Sequence, residues 1–347
     1  PMIELFEAVK RCELGSVNIA VTALEPEYLG EKVLISNGQI VWKSSAKSFF
    51  DGREEAVSQL QESGIETVDG CKVFCDTLGQ EKHLVVCGGG HVSIPVIKIG
   101  IMMGMKVTVL EDRPKFADNA RRAGADQVIC EPFAEALDQI LGSSDTYFVI
   151  VTRGHRYDQV CLEKITQKEH AYIGMIGSRR RVASVKRLLV ENGCDQAVLD
   201  EVYTPIGLDI GAETPVEIGV AIMAEIIEVK NKKKRTFGYS KDMIRVICDE
   251  EKYPDAKVMA TIITRKGSAP QGIGVKMLVL ADGTCIGTIG GGCMESNILQ
   301  KALQMIRNGE SGARICHVDL TGADAEDEGM VCGGVVDVLM EMISGKV

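Results

Sequence analysis

The residues best suited to chemistry stand in a glycine-rich loop that leads into a thiol and a carboxylate. The run Gly290–Gly292 comes directly before Cys293, and Glu295 follows two residues later. Three successive glycines allow backbone N–H groups to form an anion-accepting nest. Cys293 would lie at a helix N-terminus, where the pKa of a thiol falls and its thiolate becomes a nucleophile or soft metal ligand. Glu295 is either a capping carboxylate in the first turn of that helix or a ligand contact.

Two further motifs of the C-terminal third fall in expected turns. Cys332 is followed by two glycines, which makes it a second candidate for a reactive thiol in a flexible turn. Ser268 lies in the run Gly267–Pro270, between two expected strands. The other cysteines are expected to be buried structural thiols, because that is the usual environment of a free cysteine.

A second glycine loop opens an expected helix in the middle of the chain. The pattern Gly88-x-Gly90-x-x-Ser93 follows a short apolar run, and such a loop brings a phosphate to the N–H groups of a helix N-terminus. Ser93 stands where a third glycine is usual. Asp112 comes 22 residues after Gly90, at the end of the next apolar run, where an acidic side chain holds a ribose-like diol. Arg113 beside it would instead prefer an anion.

Basic side chains follow the carboxyl ends of several apolar runs. These side chains are His91, Arg153, His155, Arg179 and Arg180. Ser178 directly precedes the two arginines at 179 and 180 and is a further candidate. The carboxyl ends of the strands form the ligand crevice of a doubly wound sheet. Arginine forks suit phosphates, and cations beside a helix N-terminus oppose its dipole unless an anion binds there. The sequence therefore predicts an anion site in an otherwise acidic protein.

The elements that would position these residues alternate between strand and helix in the middle third. Short apolar runs, separated by helix-like stretches, lie at 84–87, 106–110, 127–130, 147–152 and 171–176. Each has the length of a buried parallel strand. This rhythm predicts a doubly wound, Rossmann-like parallel sheet at 80–230. A basic cluster begins the segment 231–254, which is expected to be a linker.

The C-terminal region 255–347 has a different pattern, of the α+β kind. Apolar runs at 258–264, 275–280 and 284–289 predict strands, and Asp282-Gly283 predicts a hairpin between the last two. A helix and two further strands follow. The glycine–thiol loop is thus expected between a strand and a helix.

The first 79 residues echo that region. Gly30–Ile35 resembles Gly274–Val279, and a turn and then a helix follow in both places. A glycine, a short strand and an aspartate come next, which matches 70–76 with 312–319. We interpret residues 1–79 as a degenerate copy that has lost the glycine-rich and thiol-bearing loops. The alternative is a chance likeness of two small β-hairpin units.

Composition excludes several classes of protein. The 347 residues correspond to about two to three domains, and a hydrophobic share of 45% excludes a wholly disordered chain. The net charge of −10 argues against a nucleic-acid binder. Twelve cysteines without a C-x-x-C pair or a signal-peptide pattern argue against a disulfide framework and predict the reducing cytoplasm. Since no uninterrupted apolar run reaches about 18 residues, no membrane span is expected.

Three groups of residues together resemble the XdhC/CoxI family. They are Tyr172–Arg180, then Pro205–Ala212 with Thr214–Ile218, and finally Gly267–Pro270 with Gly287–Glu295 and Cys332–Gly334. The resemblance covers about residues 80–229 and 255–342. The family usually places its cysteine-bearing domain first, whereas here the intact one comes last. Because of that departure, the identity of the client enzyme stays open. One alternative is a specialised branch of the family that serves selenium-dependent hydroxylases.

The resemblance implies a protein that binds molybdenum cofactor, as molybdopterin or its dinucleotide form. Such a protein helps to sulfurate the cofactor and to insert it into a xanthine dehydrogenase-type molybdenum hydroxylase, and does not itself oxidise purines. A client hydroxylase and a cysteine desulfurase are the expected partners, and a homodimer is expected. Cys293 would contact the molybdenum or the sulfur, with Cys332 as the second thiol. The expected cofactor contacts are Gly88, Gly90, His91, Asp112, Arg113, Arg153, His155, Ser178, Arg179, Arg180, Ser268, Gly291, Gly292 and Glu295.

Two other functions remain open from the residues. An NAD(P)-dependent oxidoreductase is favoured by Asp112 and the glycine loop, whereas Ser93 and the lack of a recognisable catalytic constellation argue against it. A non-catalytic adaptor with a vestigial nucleotide site is the other alternative. NAD binding without pterin binding would indicate the first. Client binding that survives mutation of Gly90, Arg179 and Cys293 together would indicate the second.

Overall fold

The structure is a computed structural model that describes residues 2–12, 16–45, 48–60, 62–79, 81–232, 238–267, 271–319 and 334–343, without the side chain of Arg179. The chain forms two compact units: residues 1–79 with 236–347, and residues 80–235. The N-terminal segment and the cysteine-bearing region therefore belong to one unit. Across the described ranges, no helix is long and apolar enough to cross a membrane.

The N-terminal part of the first unit is an antiparallel sheet with two helices. Its elements are α1 (Met2–Arg11), β1 (Asn18–Ala23), β2 (Lys32–Ser36), β3 (Gln39–Lys43), α2 (Glu54–Ser58), β4 (Gly64–Val68) and β5 (Cys71–Leu78). The strand order is β3-β2-β1-β5-β4, and every pair is antiparallel. Asn37 and Gly38, both at positive φ, form the tight turn between β2 and β3. Every residue of the central strand β1 is buried, because both faces of the sheet are covered.

The second unit is built on a parallel sheet. Its strands are β6 (His83–Cys87), β7 (Lys106–Leu110), β8 (Gln127–Ile129), β9 (Thr146–Ile150) and β10 (Tyr172–Met175). Its helices are α3 (Ser93–Met102), α4 (Pro114–Arg122), α5 (Phe133–Asp138), α6 (His155–Ile165), α7 (Arg179–Glu191), α8 (Gln196–Asp200) and α9 (Pro215–Lys232). The strand order is β10-β9-β6-β7-β8. The chain adds β7 and β8 on one side of β6 and then β9 and β10 on the other side, so the topological switch point lies between β6 and β9. The predicted doubly wound, Rossmann-like sheet is confirmed.

The C-terminal part of the first unit is a second antiparallel sheet. Its elements are α10 (Lys241–Cys248), β11 (Lys257–Gly267), β12 (Lys276–Leu280), β13 (Cys285–Gly287), α11 (Gly292–Arg307), β14 (Ala313–Asp319) and β15 (Gly334–Ile343). The strand order is β13-β12-β11-β15-β14. Helix α10 lies inside the segment 231–254, which was expected to be a linker. It folds there because Met243, Val246 and Ile247 form a buried apolar face.

The two sheets of the first unit share one strand order, with β11–β15 in the places of β1–β5. Lys32 and Lys276 each begin the second strand and pair with a threonine of the first, Thr22 and Thr261. This register agrees with the sequence match of Gly30–Ile35 to Gly274–Val279. The match of 70–76 to 312–319 is wrong, because 70–76 lies in the fifth strand of its sheet and 312–319 in the fourth. Two strands follow the helix in each sheet, β4 and β5 after α2 and β14 and β15 after α11. The sequence match paired the second strand of one sheet with the first strand of the other.

Candidate functional site

The glycine loop between β6 and α3 is held in one conformation by its neighbours. Gly88 has a φ of 115°, and a Cβ there would lie 2.5 Å from the carbonyl oxygen of Val151. The buried Ser93 hydroxyl donates to the Gly88 carbonyl at 2.7 Å, so the serine at the third-glycine position ties the loop to the helix. A Cβ at Gly90 would meet no atom within 4 Å. The loop is therefore closed at Gly88 and open at Gly90.

A buried carboxylate that sequence reasoning missed joins this loop to the end of β7. Glu111 accepts hydrogen bonds from the N–H groups of Gly89 at 2.7 Å and of Arg113 at 3.0 Å. Its two oxygens also accept from the Arg113 guanidinium at 2.9 and 3.1 Å. Its position was a usable signal, because Glu111 comes directly after the apolar run and one residue before the predicted Asp112. Glu111 holds the loop, and Arg113 is neutralised by it.

Asp112, the predicted contact for a ribose-like diol, is paired with Arg153, a predicted contact for an anion. The Asp112 carboxylate accepts hydrogen bonds from both terminal nitrogens of Arg153, one of them at a distance of 2.8 Å. This hydrogen-bonded pair lowers the pKa of the Asp112 carboxyl and raises the pKa of Arg153. The Arg153 guanidinium also lies 3.9 Å from the ring centroid of Tyr157. An incoming phosphate would have to compete with Asp112 for Arg153.

The loops after β9 and β10 begin helices with polar groups at their first turns. The Thr152 hydroxyl donates to the buried Asp158 of α6 at 2.6 Å. Burial raises the pKa of that carboxyl, and the hydrogen bonds from Thr152 and the charge of Arg181 oppose the rise. Ser178 caps α7 and accepts from the Arg181 N–H at 3.4 Å. These contacts fix the turns that carry the basic side chains.

The sheet order brings the predicted residues of the second unit to one edge. Strands β7, β6, β9 and β10 are neighbours and parallel, so their carboxyl ends lie side by side. The residues that follow these ends are Gly88, Gly90, His91, Asp112, Arg113, Arg153, His155, Ser178, Arg179 and Arg180. His91, His155 and Arg180 are exposed there. The edge is thus a polar surface with exposed basic groups.

The glycine–thiol loop of the first unit is organised by its own carboxylate. Gly290–Gly292 all have positive φ, from 64° to 131°, which explains the three glycines. Glu295 accepts from the N–H groups of Ile289 at 3.2 Å and Gly291 at 3.1 Å, and from the Thr288 hydroxyl. Burial raises the pKa of Glu295, but these hydrogen bonds outweigh it, and the pKa lies below its ordinary value. The capping interpretation is therefore favoured, and one of the expected nest N–H groups, that of Gly291, donates to this carboxylate.

The other predicted residues of this unit are Cys293, Ser268 and Cys332. Cys293 is partly buried in the first turn of α11. Ser268 and Cys332 lie outside the described residues. The strands beside them end together, however, because Gly267 and Gly334 are register partners. The antiparallel order also puts the end of β13 and the end of β14 at this edge. The described residues that border the three motifs therefore lie at one edge of the sheet.

A hydrogen-bonded histidine, aspartate and threonine stand near that edge. His317 Nδ1 lies 2.7 Å from Asp337 Oδ1, and the Thr264 hydroxyl donates to Asp337 Oδ2 at 2.6 Å. Burial raises the pKa of Asp337, but the bonds from Thr264 and His317 and the nearby positive charge bring it below its ordinary value. The His317 side chain is 64% exposed. Spacing gave no signal for this cluster, because its members lie on three strands up to 73 residues apart.

These two sites define a class of protein that joins a dinucleotide-type parallel sheet to an α+β fold with a glycine–thiol loop. The XdhC Rossmann domain model matches residues 84–226, and the XdhC and CoxI family model matches residues 254–319. Together they cover more than half of the chain. The chain belongs to the XdhC/CoxI family, as the sequence motifs predicted.

Three relatives show how far the similarity reaches. The "Uncharacterized protein YqeB" of Escherichia coli is 29% identical over 160 residues, which are 46% of this chain and 29% of that protein. A Bacillus subtilis protein named as a probable xanthine dehydrogenase subunit is 28% identical over 160 residues, 46% of each chain. The matches therefore span less than half of these relatives. A crystal structure described as a xanthine dehydrogenase from Bacillus halodurans has 24% identity and a TM-score of 0.50, covering 64% of this chain and 61% of that one, and supports the fold.

Proposed function

We propose that this protein is an accessory factor that binds molybdenum cofactor as cargo and assists its sulfuration and its insertion into a xanthine dehydrogenase-type molybdenum hydroxylase. Family membership and the name of the Bacillus subtilis relative support this role. The structural observation that carries it is the polar edge of the parallel sheet, where a glycine loop opens a helix beside exposed basic groups. The proposal includes a cytoplasmic location and a homodimer.

The polar edge fits the phosphate end of such a cargo. Helix α3 begins beside the open residue Gly90, so its N-terminal N–H groups border the loop. Arg180 is exposed and forms no ion pair with any residue that the structure describes. Its fork is free to hold a phosphate, whereas Arg113 and Arg153 are already neutralised by acids. We assign the phosphate to Arg180 and the helix N-terminus, with His91 and His155 beside them.

The edge of the α+β fold fits the molybdenum–sulfur end. Cys293 stands in the first turn of a 16-residue helix and is partly buried. Glu295 holds the loop so that this turn keeps its shape. His317, with one ring nitrogen bound to Asp337, presents the other nitrogen to solvent as a proton acceptor. We assign Cys293 the contact with molybdenum or sulfur, and His317 the movement of a thiol proton.

Activation of a client tests the proposal. An apo-hydroxylase would be incubated anaerobically with molybdenum cofactor, a cysteine desulfurase and this protein, and its activity and cofactor-bound sulfur measured. We expect both to rise with this protein and to fall with Cys293→Ser. The matched control is Cys285→Ser, a partly buried thiol in β13. Equal activation by wild type and Cys293→Ser would remove Cys293 from the mechanism, and no activation by wild type would remove the proposal.

An NAD(P)-dependent oxidoreductase is the second candidate, and Asp112 is the observation that favours it. This carboxylate stands at the end of the strand next to the glycine loop, where such enzymes bind a ribose. It is bound to Arg153, however, which a diol would have to displace. Titration with NAD and NADP, compared between wild type and Asp112→Asn, measures this role. Tight binding that the substitution abolishes would favour the oxidoreductase.

A further inference from the structure

We infer that residues 1–79 are a built-in partner of the C-terminal α+β fold: the two sheets of the first unit make in one chain the two-fold contact that two copies of such a fold would make as a dimer. The strand registers define which positions correspond. If Thr22 is taken as the equivalent of Thr261, the registers make three further pairs of residues equivalent: Lys32 and Lys276, Phe74 and Leu339, and Asp76 and Glu341.

Two buried ion pairs join the sheets, and each is the image of the other. Lys32 Nζ lies 2.9 Å from Glu341 Oε1, and Lys276 Nζ lies 2.7 Å from Asp76 Oδ2. All four side chains are less than one-tenth exposed. Each lysine pairs with the acid of the opposite sheet rather than with its own. A two-fold axis exchanges the sheets in this way, and an isologous interface has the same reciprocity.

Apolar residues between the sheets show where such an axis would pass. Phe74 and Leu339, which correspond, are buried in one cluster, together with the corresponding pair Leu24 and Ile263. Residues that meet their own counterparts are the signature of positions near a two-fold axis. Two sheets packed by chance would have no reason to bring corresponding positions together. The apolar contact and the ion pairs therefore indicate the same symmetry.

The helices that precede the two sheets follow the same rule. Leu5 of α1 is buried against Ala20, Leu34 and Leu78 of its own sheet. The corresponding residues of the other sheet are Met259, Leu278 and Ile343. These three form the cluster that holds Met243, Val246 and Ile247 of α10. Each helix thus covers the same three positions of its sheet, and α1 reaches the second cluster through Phe6.

The symmetry has a consequence for binding specificity. Lys276 pairs with Asp76, and Glu341 is the counterpart of Asp76 in the C-terminal sheet, so the C-terminal sheet is complementary to a second copy of itself. A second copy of that sheet would satisfy both charges as well as the N-terminal sheet does. Since an unpaired buried charge is strongly destabilising, the ion pairs decide which sheet is accepted. In the intact chain the N-terminal sheet fills this face and keeps it from another copy.

Inverting the charges of the N-terminal sheet alone tests the inference in the full-length chain. In the variant Lys32→Glu with Asp76→Lys, both ion pairs become like-charge contacts. The C-terminal sheets of two chains then offer each other matched charges, as do the two inverted N-terminal sheets. We expect native mass spectrometry and light scattering to show at least twice the wild-type mass. Inverting all four residues, with Lys276→Glu and Glu341→Lys added, makes every pair opposite again and should restore the wild-type mass.

A second set of variants covers the case in which the inverted protein only loses stability. Phe74→Leu and Leu339→Phe each change the volume at the axis, whereas the double variant exchanges the two residues and conserves it. We expect each single variant to lower the melting temperature by about 4 °C and the double variant to recover most of that loss. Additive losses in the double variant, or a wild-type mass and wild-type stability after inversion of the N-terminal charges, would overturn the inference.

Discussion

The N-terminal and C-terminal sheets of the first unit share their strand order and differ at the edge where the family motifs lie. The N-terminal sheet has Lys43, Thr67 and Lys72 where the C-terminal sheet has Gly287, His317 and Asp337, respectively. The N-terminal sheet is fully packed without a glycine–thiol loop or an aspartate-bound histidine. The fold therefore does not require those groups. Their presence in one sheet only is best explained by a role in chemistry, whereas the buried lysines present in both belong to the architecture.

The largest effect is expected where the two sheets agree. Lys276→Met leaves Asp76 buried without its ion pair, and Lys32→Met does the same to Glu341. We expect each to lower the free energy of unfolding by about 3–5 kcal/mol. Urea unfolding followed by circular dichroism measures the loss. The control Lys43→Met removes partly exposed ion pairs with Asp51 and Glu54 and should cost less than about 1 kcal/mol. Losses no larger than the control would show that the shared lysines are not architectural.

The next effect is expected where the sheets differ. His317→Gln removes a proton acceptor, so the rate of sulfur transfer should fall by about 10²-fold. Protein stability and pterin binding should stay close to wild type, because the side chain is largely exposed. Thr67→Gln is the matched change at the corresponding position of the N-terminal sheet and should leave the rate unchanged. If both variants transferred sulfur at the wild-type rate, the difference between the sheets would have no chemical meaning at this position.

A smaller effect is expected at the polar edge of the second unit. Asp112→Asn removes the carboxylate that competes with a phosphate for Arg153 and that would hold a ribose. Binding of the dinucleotide form of the cofactor should weaken by about ten-fold if the carboxylate holds the ribose. Binding of molybdopterin itself, which has no ribose, should not weaken. Fluorescence titration of the two oxidised pterins compares them. Equal weakening of both ligands would show that Asp112 acts only through its ion pair with Arg153.

The smallest effect is expected at the cap of the glycine–thiol loop. Glu295→Gln should lower the free energy of unfolding by about 1 kcal/mol at neutral pH. Because the pKa of Glu295 lies below its ordinary value of 4.5, its contribution is present above that value and is lost as pH falls through the folded-state pKa. The stability difference between wild type and variant should therefore narrow as pH falls below the ordinary value of 4.5. A difference that is constant with pH would rule out this role of the carboxylate.

Much of the fold could be predicted from the sequence because its signals are local. The run 106–110 is a buried parallel strand with the expected bounds, since its β-branched residues stand between clear breaks. The hairpin at Asp282-Gly283, which joins β12 to β13, and the helix that begins at Gly292 also follow from neighbouring residues. The prediction of a linker at 231–254 was wrong, because its basic cluster hid the short amphipathic helix at Lys241–Cys248.

The site was less predictable because its contacts join distant segments. The glycine loops and the strand-end basic residues were recognised, since each sits at a local boundary. Glu111 was missed although it is the buried acid that binds the loop. The bond between His317 and Asp337 depends on strand register, which no spacing in the sequence reveals. The pairing of Arg153 with Asp112 is likewise visible only once β7 and β9 lie in one sheet.

The central claim is that the protein binds molybdenum cofactor as cargo. The most direct test is anaerobic incubation with the cofactor, followed by desalting, oxidation and fluorescence measurement of pterin per chain, with an NAD titration in parallel. We expect close to one pterin per chain in wild type and a clear loss with Arg180→Gln or Cys293→Ser. No retained pterin together with tight NAD binding would contradict the claim and favour the oxidoreductase.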